Sequence, residues 1–141
     1  MKIKVLTPMY VANLPEQLEE GVFYICEDFS ATAHKCCCGC GEEVYIKLGP
    51  AKWQLTKETD GTVSLHPSVG NWKYACRSHY WIENNRVIDA GAMSNRAIKG
   101  VLERDRRDRD RVIAQHNAQA PQTLWQRAVA KIVRAFRNLW R

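Results

Sequence analysis

An α+β fold is predicted: a small, mainly antiparallel β domain followed by one or two C-terminal α-helices. Three observations predict it. Up to Gly91 the chain alternates short runs of β-branched and aromatic residues with Gly, Pro, Asn and Asp. After Gly91 these turn residues thin out and a densely charged, helix-forming stretch begins. Beyond Pro121, apolar residues recur three and four positions apart.

Strands are expected at 3–6, 22–26, 44–48, 53–56, 63–66, 75–82 and 86–89, each rich in β-branched or aromatic residues and closed by a turn residue. Thr59-Asp60-Gly61 supplies a hairpin turn between Leu55 and Val63, and Glu83-Asn84-Asn85 supplies another between Ile82 and Val87. Pro15 near its start and Gly21 at its end suggest a short helical turn over 14–20. Residues 92–118 are helical in composition. Their middle, Glu103-Arg104-Asp105-Arg106-Arg107-Asp108-Arg109-Asp110-Arg111, carries five positive and four negative charges that can pair along a solvated helix. The last element is amphipathic, with Leu124, Trp125, Ala128, Val129, Ile132, Val133, Phe136, Leu139 and Trp140 on one side. The expected organisation is therefore a β domain over 1–91, a charged helix or linker over 92–120, and a basic amphipathic helix over 121–141.

The net charge of +6 suggests nucleic acid until it is located. Arg127, Lys131, Arg134, Arg137 and Arg141 lie in the last segment, which has no acid; without it the chain has 16 basic and 15 acidic residues. The body is electrostatically neutral, and in the charged helix the acids cancel the arginines, which counts against a nucleic-acid grip. Three occupants are open for the apolar face of the C-terminal helix: this protein or a second copy, an acidic partner, or a membrane surface. The start, Met1-Lys2-Ile3-Lys4-Val5-Leu6, lacks a secretory apolar stretch, and no run approaches the about 20 apolar residues of a membrane span. A cytoplasmic location is expected, where thiols stay reduced.

Four cysteines fall within five residues in His34-Lys35-Cys36-Cys37-Cys38-Gly39-Cys40-Gly41, and a fifth opens the distant Cys76-Arg77-Ser78-His79. Thiolates this crowded repel one another unless a cation gathers them, and Zn2+ is the commonest to do so. A structural zinc can contribute on the order of 10 kcal/mol to a domain this small. If 34–38 is extended, His34, Cys36, Cys38 and Cys40 share one face and Cys37 takes the other. Parity in the second segment sets Cys76, Ser78 and Tyr80 together. A tetrahedral site of Cys36, Cys38, Cys40 and Cys76 follows most simply, with His79 or His34 as alternative ligands.

The same parity brings Ser78 and His34 to the metal side. A zinc there would deliver the Ser78 hydroxyl and the His34 imidazole to one place, a nucleophile and base for acyl transfer. Amides near Gly39–Gly41 or Gly70-Asn71 are candidate oxyanion donors, and Glu27 or Asp28 a candidate third group. The plainer alternative is a serine hydrogen-bonded beside a structural metal. A metal-bound water as nucleophile is a further alternative, weakened by the electron-rich thiolates. His66-Pro67-Ser68-Val69-Gly70-Asn71-Trp72 suits either the border of a substrate groove or a tight turn.

Gly21-Val22-Phe23-Tyr24, His34-x-Cys36-x-Cys38-Gly39-Cys40-Gly41, Trp53-x-Leu55, Pro67-Ser68-Val69-Gly70-Asn71 and Cys76-Arg77-Ser78-His79-Tyr80-Trp81-Ile82 together resemble the BubE-like family. These are small proteins encoded beside bacterial ubiquitin-like conjugation genes, and the resemblance covers residues 20 to 90. It implies a zinc-bearing serine-type peptidase that trims a ubiquitin-like protein or removes it from targets, with the E1-like and E2-like enzymes as further partners. By position it favours Cys36, Cys38, Cys40 and Cys76 as metal ligands and raises Ser78, His34 and His79 as catalytic candidates, leaving Cys37 incidental. The competing functions are a non-catalytic zinc module that binds the same proteins and a zinc-catalysed hydrolase.

Overall fold

The computed structural model describes residues 1–119 and residue 129. Among the described residues, eight strands form two four-stranded sheets, followed by a helix, an α+β fold. The first sheet holds β1 (Thr7–Tyr10), β2 (Val22–Cys26), β3 (Ala31–Lys35) and β4 (Glu43–Lys47) in that order. The second holds β5 (Gln54–Lys57), β6 (Val63–Gly70), β7 (His79–Glu83) and β8 (Arg86–Asp89), also in chain order. Every pairing is antiparallel except β1 with β2.

Alternation explains which faces are buried. Val44 and Ile46 of β4, Val63 and Leu65 of β6, Tyr80 and Ile82 of β7 and Val87 of β8 point to one shared core with Phe23 and Ile25. Each such aromatic or aliphatic side chain contributes about 1.5–3 kcal/mol on burial. β2 is buried on both faces, because Tyr24 turns the other way to meet Leu18 and Ala33. Asn84 and Asn85, both at positive φ, make the tight β7–β8 turn that the sequence announces. Gly61, at φ 82°, does the same between β5 and β6.

Three expected elements differ from those observed. Residues 3–6 form no regular strand; they staple the sheets together, with Ile3 N–H donating to Cys37 O at 3.0 Å and Val87 N–H to Lys4 O at 2.8 Å. Residues 14–20 are not helical, since one turn gains too few hydrogen bonds to hold alone, and Leu18 is instead pinned in the small core beside Tyr24. The strand expected from Ala75 begins only at His79, and β3 is a strand that residues as unassuming as Ala31-Thr32-Ala33-His34-Lys35 do not advertise.

Helix α1 (Asn95–Gln119) starts where the Ser94 hydroxyl accepts from Ala97 N–H at 3.2 Å, an N-cap. Ile98 is its one buried residue among those described. A compact unit spans Met1–Arg109, and a second begins at Asp110 within α1. The amphipathic helix expected at 121–141 lies outside the described residues, Val129 apart. Among the described residues, no helix is long and apolar enough to cross a membrane.

Candidate functional site

Two turns assemble the cysteines. β3 ends at Lys35, and the chain reverses over Cys36–Gly41, with Cys36 N–H donating to Glu42 O at 2.7 Å and Gly39 N–H to Cys36 O at 3.0 Å. Gly39 and Gly41 both sit at φ 88°, a conformation that a side chain would strain. The second turn lies between β6 and β7. Asn71 N–H donates to Ser78 O at 2.9 Å and Arg77 N–H to Tyr74 O at 3.0 Å, while the Tyr74 hydroxyl anchors the loop to Glu43 O at 2.6 Å. Neither cysteine segment is extended, so the cysteines converge by turning rather than by strand parity.

They nonetheless meet. Cys36 Sγ lies 3.4 Å from Cys38 Sγ and 3.9 Å from Cys76 Sγ, and the four sulfurs of Cys36, Cys38, Cys40 and Cys76 all fall within 4.8 Å of one another. A tetrahedral Zn(Cys)4 centre with bonds of about 2.3 Å needs sulfurs about 3.8 Å apart, so the donor set fits. Cys36 is buried, Cys38 and Cys76 partly buried, and Cys40 exposed. Burial first, then the Cys40 and Cys36 thiols, push Cys38 up to about 12. Cys76 goes the other way, to about 7: burial opposes its ionisation, but hydrogen bonding with the Ser78 backbone and side chain and with the Cys40 and Cys38 thiols together outweighs it. Four such thiols ionise together only around a cation. Cys37 turns into the core, where burial pushes it up to about 12.

Ser78 belongs to the sulfur cluster. Its hydroxyl lies 3.0 Å from Cys36 Sγ and 3.6 Å from Cys76 Sγ, and it accepts from Asn71 Nδ2 at 2.9 Å. His34 is fully buried, with Nε2 2.7 Å from the Tyr80 hydroxyl and Nδ1 without a hydrogen-bond partner among the described residues. Desolvation pushes His34 down to about 3, so it is a neutral imidazole. The Tyr80 hydroxyl takes up His34 Nε2, and among the described residues Ser78 bonds to neither histidine. Glu27 is paired with Lys57 at the surface and Asp28 is exposed; neither bonds a histidine.

His79 has a different serine. The Ser68 hydroxyl donates to His79 Nε2 at 2.9 Å, and His79 Nδ1 meets the Gly91 carbonyl at 3.2 Å. A carbonyl only accepts, so Nδ1 carries the proton and Nε2 offers the lone pair to Ser68. Both side chains are partly exposed, as a substrate requires. The register pair Gly70 with His79 sets the spacing between the two strands here. The Trp72 indole leans over His79 with ring centroids 5.0 Å apart and folds against Gly70, where a β-carbon would collide with it. On the other flank, Trp53 Nε1 donates to the Ser68 carbonyl at 3.4 Å. Trp53 also lines a cavity of about 360 Å³ with Ile25, Leu48 and Leu55.

Ser68 escaped the sequence reading, although a signal for it exists. Pro67 and Gly70 within one strand mark a bulge, and the β6–β7 register does shift between Leu65 and Val69. Bulges of this kind re-aim side chains beside active sites.

No curated protein and no solved structure matches the chain significantly. The model of one family does, across residues 10–89, more than half of the 141. With its cysteine cluster and Ser68–His79 pair both inside that span, the chain belongs to the family of bacterial ubiquitination-like system serine proteases, BubE.

Proposed function

We propose that the protein is a peptidase that trims a ubiquitin-like protein or detaches it from its targets, with Ser68 as nucleophile and His79 as general base. The observation that carries this reading is the 2.9 Å hydrogen bond from Ser68 to a histidine whose tautomer is already fixed by the Gly91 carbonyl. Ser78, the serine the sequence favoured, has its hydroxyl directed at thiols and takes a supporting role; His34 is buried and engaged with Tyr80.

The chemistry follows from those two groups. Ser68 Oγ bonds to the scissile carbonyl carbon as its proton passes to His79 Nε2 and the carbonyl π pair moves onto oxygen. Collapse breaks the C–N bond, and the leaving amine takes the proton from Nε2, leaving an acyl ester on Ser68. Water, deprotonated by the same nitrogen, hydrolyses the ester and frees the carboxyl end. The cavity beyond Trp53, lined by Ile25, Leu48 and Leu55 and by the polar Glu27, Gln54 and Lys57, is where a neighbouring side chain of the polypeptide would sit.

Cys36, Cys38, Cys40 and Cys76 would hold a zinc ion whose contribution is structural, since four thiolates close its coordination and quench its Lewis acidity. Ser78 and Asn71 then act as donors to the Cys36 sulfur from the surrounding shell. Incubating a ubiquitin-like precursor with wild type, Ser68→Ala and Ser78→Ala, read by intact mass, tests the reading. Cleavage lost in Ser68→Ala and kept in Ser78→Ala is expected; the reverse pattern overturns it.

A further inference from the structure

Among the described residues His79 has no carboxylate partner: the atom facing Nδ1 is the Gly91 carbonyl, on the segment that leaves β8. A carbonyl on a loop orients an imidazole only if the loop itself is held. Two contacts hold this one. Ala90 N–H donates to the His79 carbonyl at 2.9 Å, extending the β7–β8 ladder by one step. Gly91 N–H donates to Asp89 Oδ1 at 2.9 Å, closing a short turn that Gly91 completes at φ 77°. With both in place, the Gly91 carbonyl lies 3.2 Å from His79 Nδ1.

We infer that Asp89 is a positioning residue for the Ser68–His79 pair: its side-chain oxygen fixes the turn whose Gly91 carbonyl stands where other serine hydrolases place a carboxylate. The inference rests on the reading of Ser68 and His79 as nucleophile and base. Its physical content is the tautomer. Without a well-placed acceptor at Nδ1, the imidazole proton redistributes to Nε2, and a ring protonated there cannot accept from Ser68. Asp89 is over half exposed, and its other oxygen lies 3.6 Å from the N-terminal ammonium, an ion pair that Asp89→Ala and Asp89→Asn both remove. The hydrogen bond from Gly91 N–H holds the Asp89 carboxyl below its usual range, so the acceptor is charged at neutral pH.

The charge is not what the turn needs. An asparagine keeps the same side-chain oxygen, so Asp89→Asn is the conservative rescue, while Asp89→Ala removes the acceptor. Asp89→Ala is expected to lower kcat about 10-fold with KM unchanged, a fraction of what a general base supplies. Asp89→Asn should stay within about 2-fold of wild type, well inside that range. Nitrogen-15 NMR of the histidine ring reads the tautomer without turnover: wild type and Asp89→Asn should show a protonated Nδ1, and Asp89→Ala a mixture. An unchanged kcat or an unchanged tautomer in Asp89→Ala overturns the inference, as does an equal loss in both variants, which would make the charge the active feature. Failure of the Ser68 reading is separate, appearing as cleavage that survives Ser68→Ala.

Discussion

Cys76 and His79 stand three positions apart in the chain and are held by different means. His79 is the first residue of β7, paired across the ladder to Gly70 and bonded on both ring nitrogens to groups of this chain. Cys76 sits in the loop between β6 and β7, and its sulfur faces three others at distances that favour repulsion once they ionise. The Ser68–His79 pair is therefore complete in the polypeptide, whereas the cysteine cluster is complete only with a cation. Between them, Asn71 and Ser78 belong to both: their backbones close the ladder, and their side chains reach the Cys36 sulfur. In the proposed function, one region carries the chemistry and the other secures the loop beside it.

This contrast breaks most visibly at Ser68. Ser68→Ala should reduce cleavage by a factor on the order of 10⁴ or more while leaving zinc content and melting temperature near wild type. A metal analysis and a thermal scan on the same sample check both halves. Stripping the metal should do the opposite, costing several kcal/mol of stability, up to the order of 10 kcal/mol that structural zinc supplies elsewhere. Circular dichroism during chelation, followed by readdition of Zn2+, reads that loss and its recovery.

Ser78→Ala comes next. It removes a hydroxyl from Cys36 without touching Ser68, so zinc affinity should fall about 10- to 100-fold with kcat little changed in zinc-saturated protein. Competition with a chromogenic chelator measures the first, and saturated turnover the second. The smallest effect is expected at Gly70→Ala, whose β-carbon would push the Trp72 indole from its seat over His79. Overpacking of this kind costs about 1–3 kcal/mol, visible as a lower denaturant midpoint.

Much of this architecture is legible in the sequence where one side chain type dominates a local choice. The alternating Val44 and Ile46, the asparagines of the β7–β8 turn and the aromatic and β-branched run Tyr80-Trp81-Ile82 each declare their structure. β3 does not, because its core-facing residues are Thr32 and His34, buried by their neighbours rather than by their own hydrophobicity. The four cysteines are legible as a cluster through composition alone. Their geometry is not, since parity presumes extended chain and the glycines at Gly39 and Gly41 turn it instead. The Ser68–His79 pair is hidden for a related reason: Ser68 and His79 meet only through a shifted register across β6 and β7, which no local pattern encodes.

Reaction of the intact protein with a fluorophosphonate, followed by peptide mapping, identifies which serine is activated. The probe bonds covalently to a serine activated by a neighbouring base and ignores an ordinary hydroxyl. An adduct on Ser68, present in wild type and Ser78→Ala and absent from Ser68→Ala and His79→Ala, is the predicted result. An adduct on Ser78 that persists in Ser68→Ala would contradict the account.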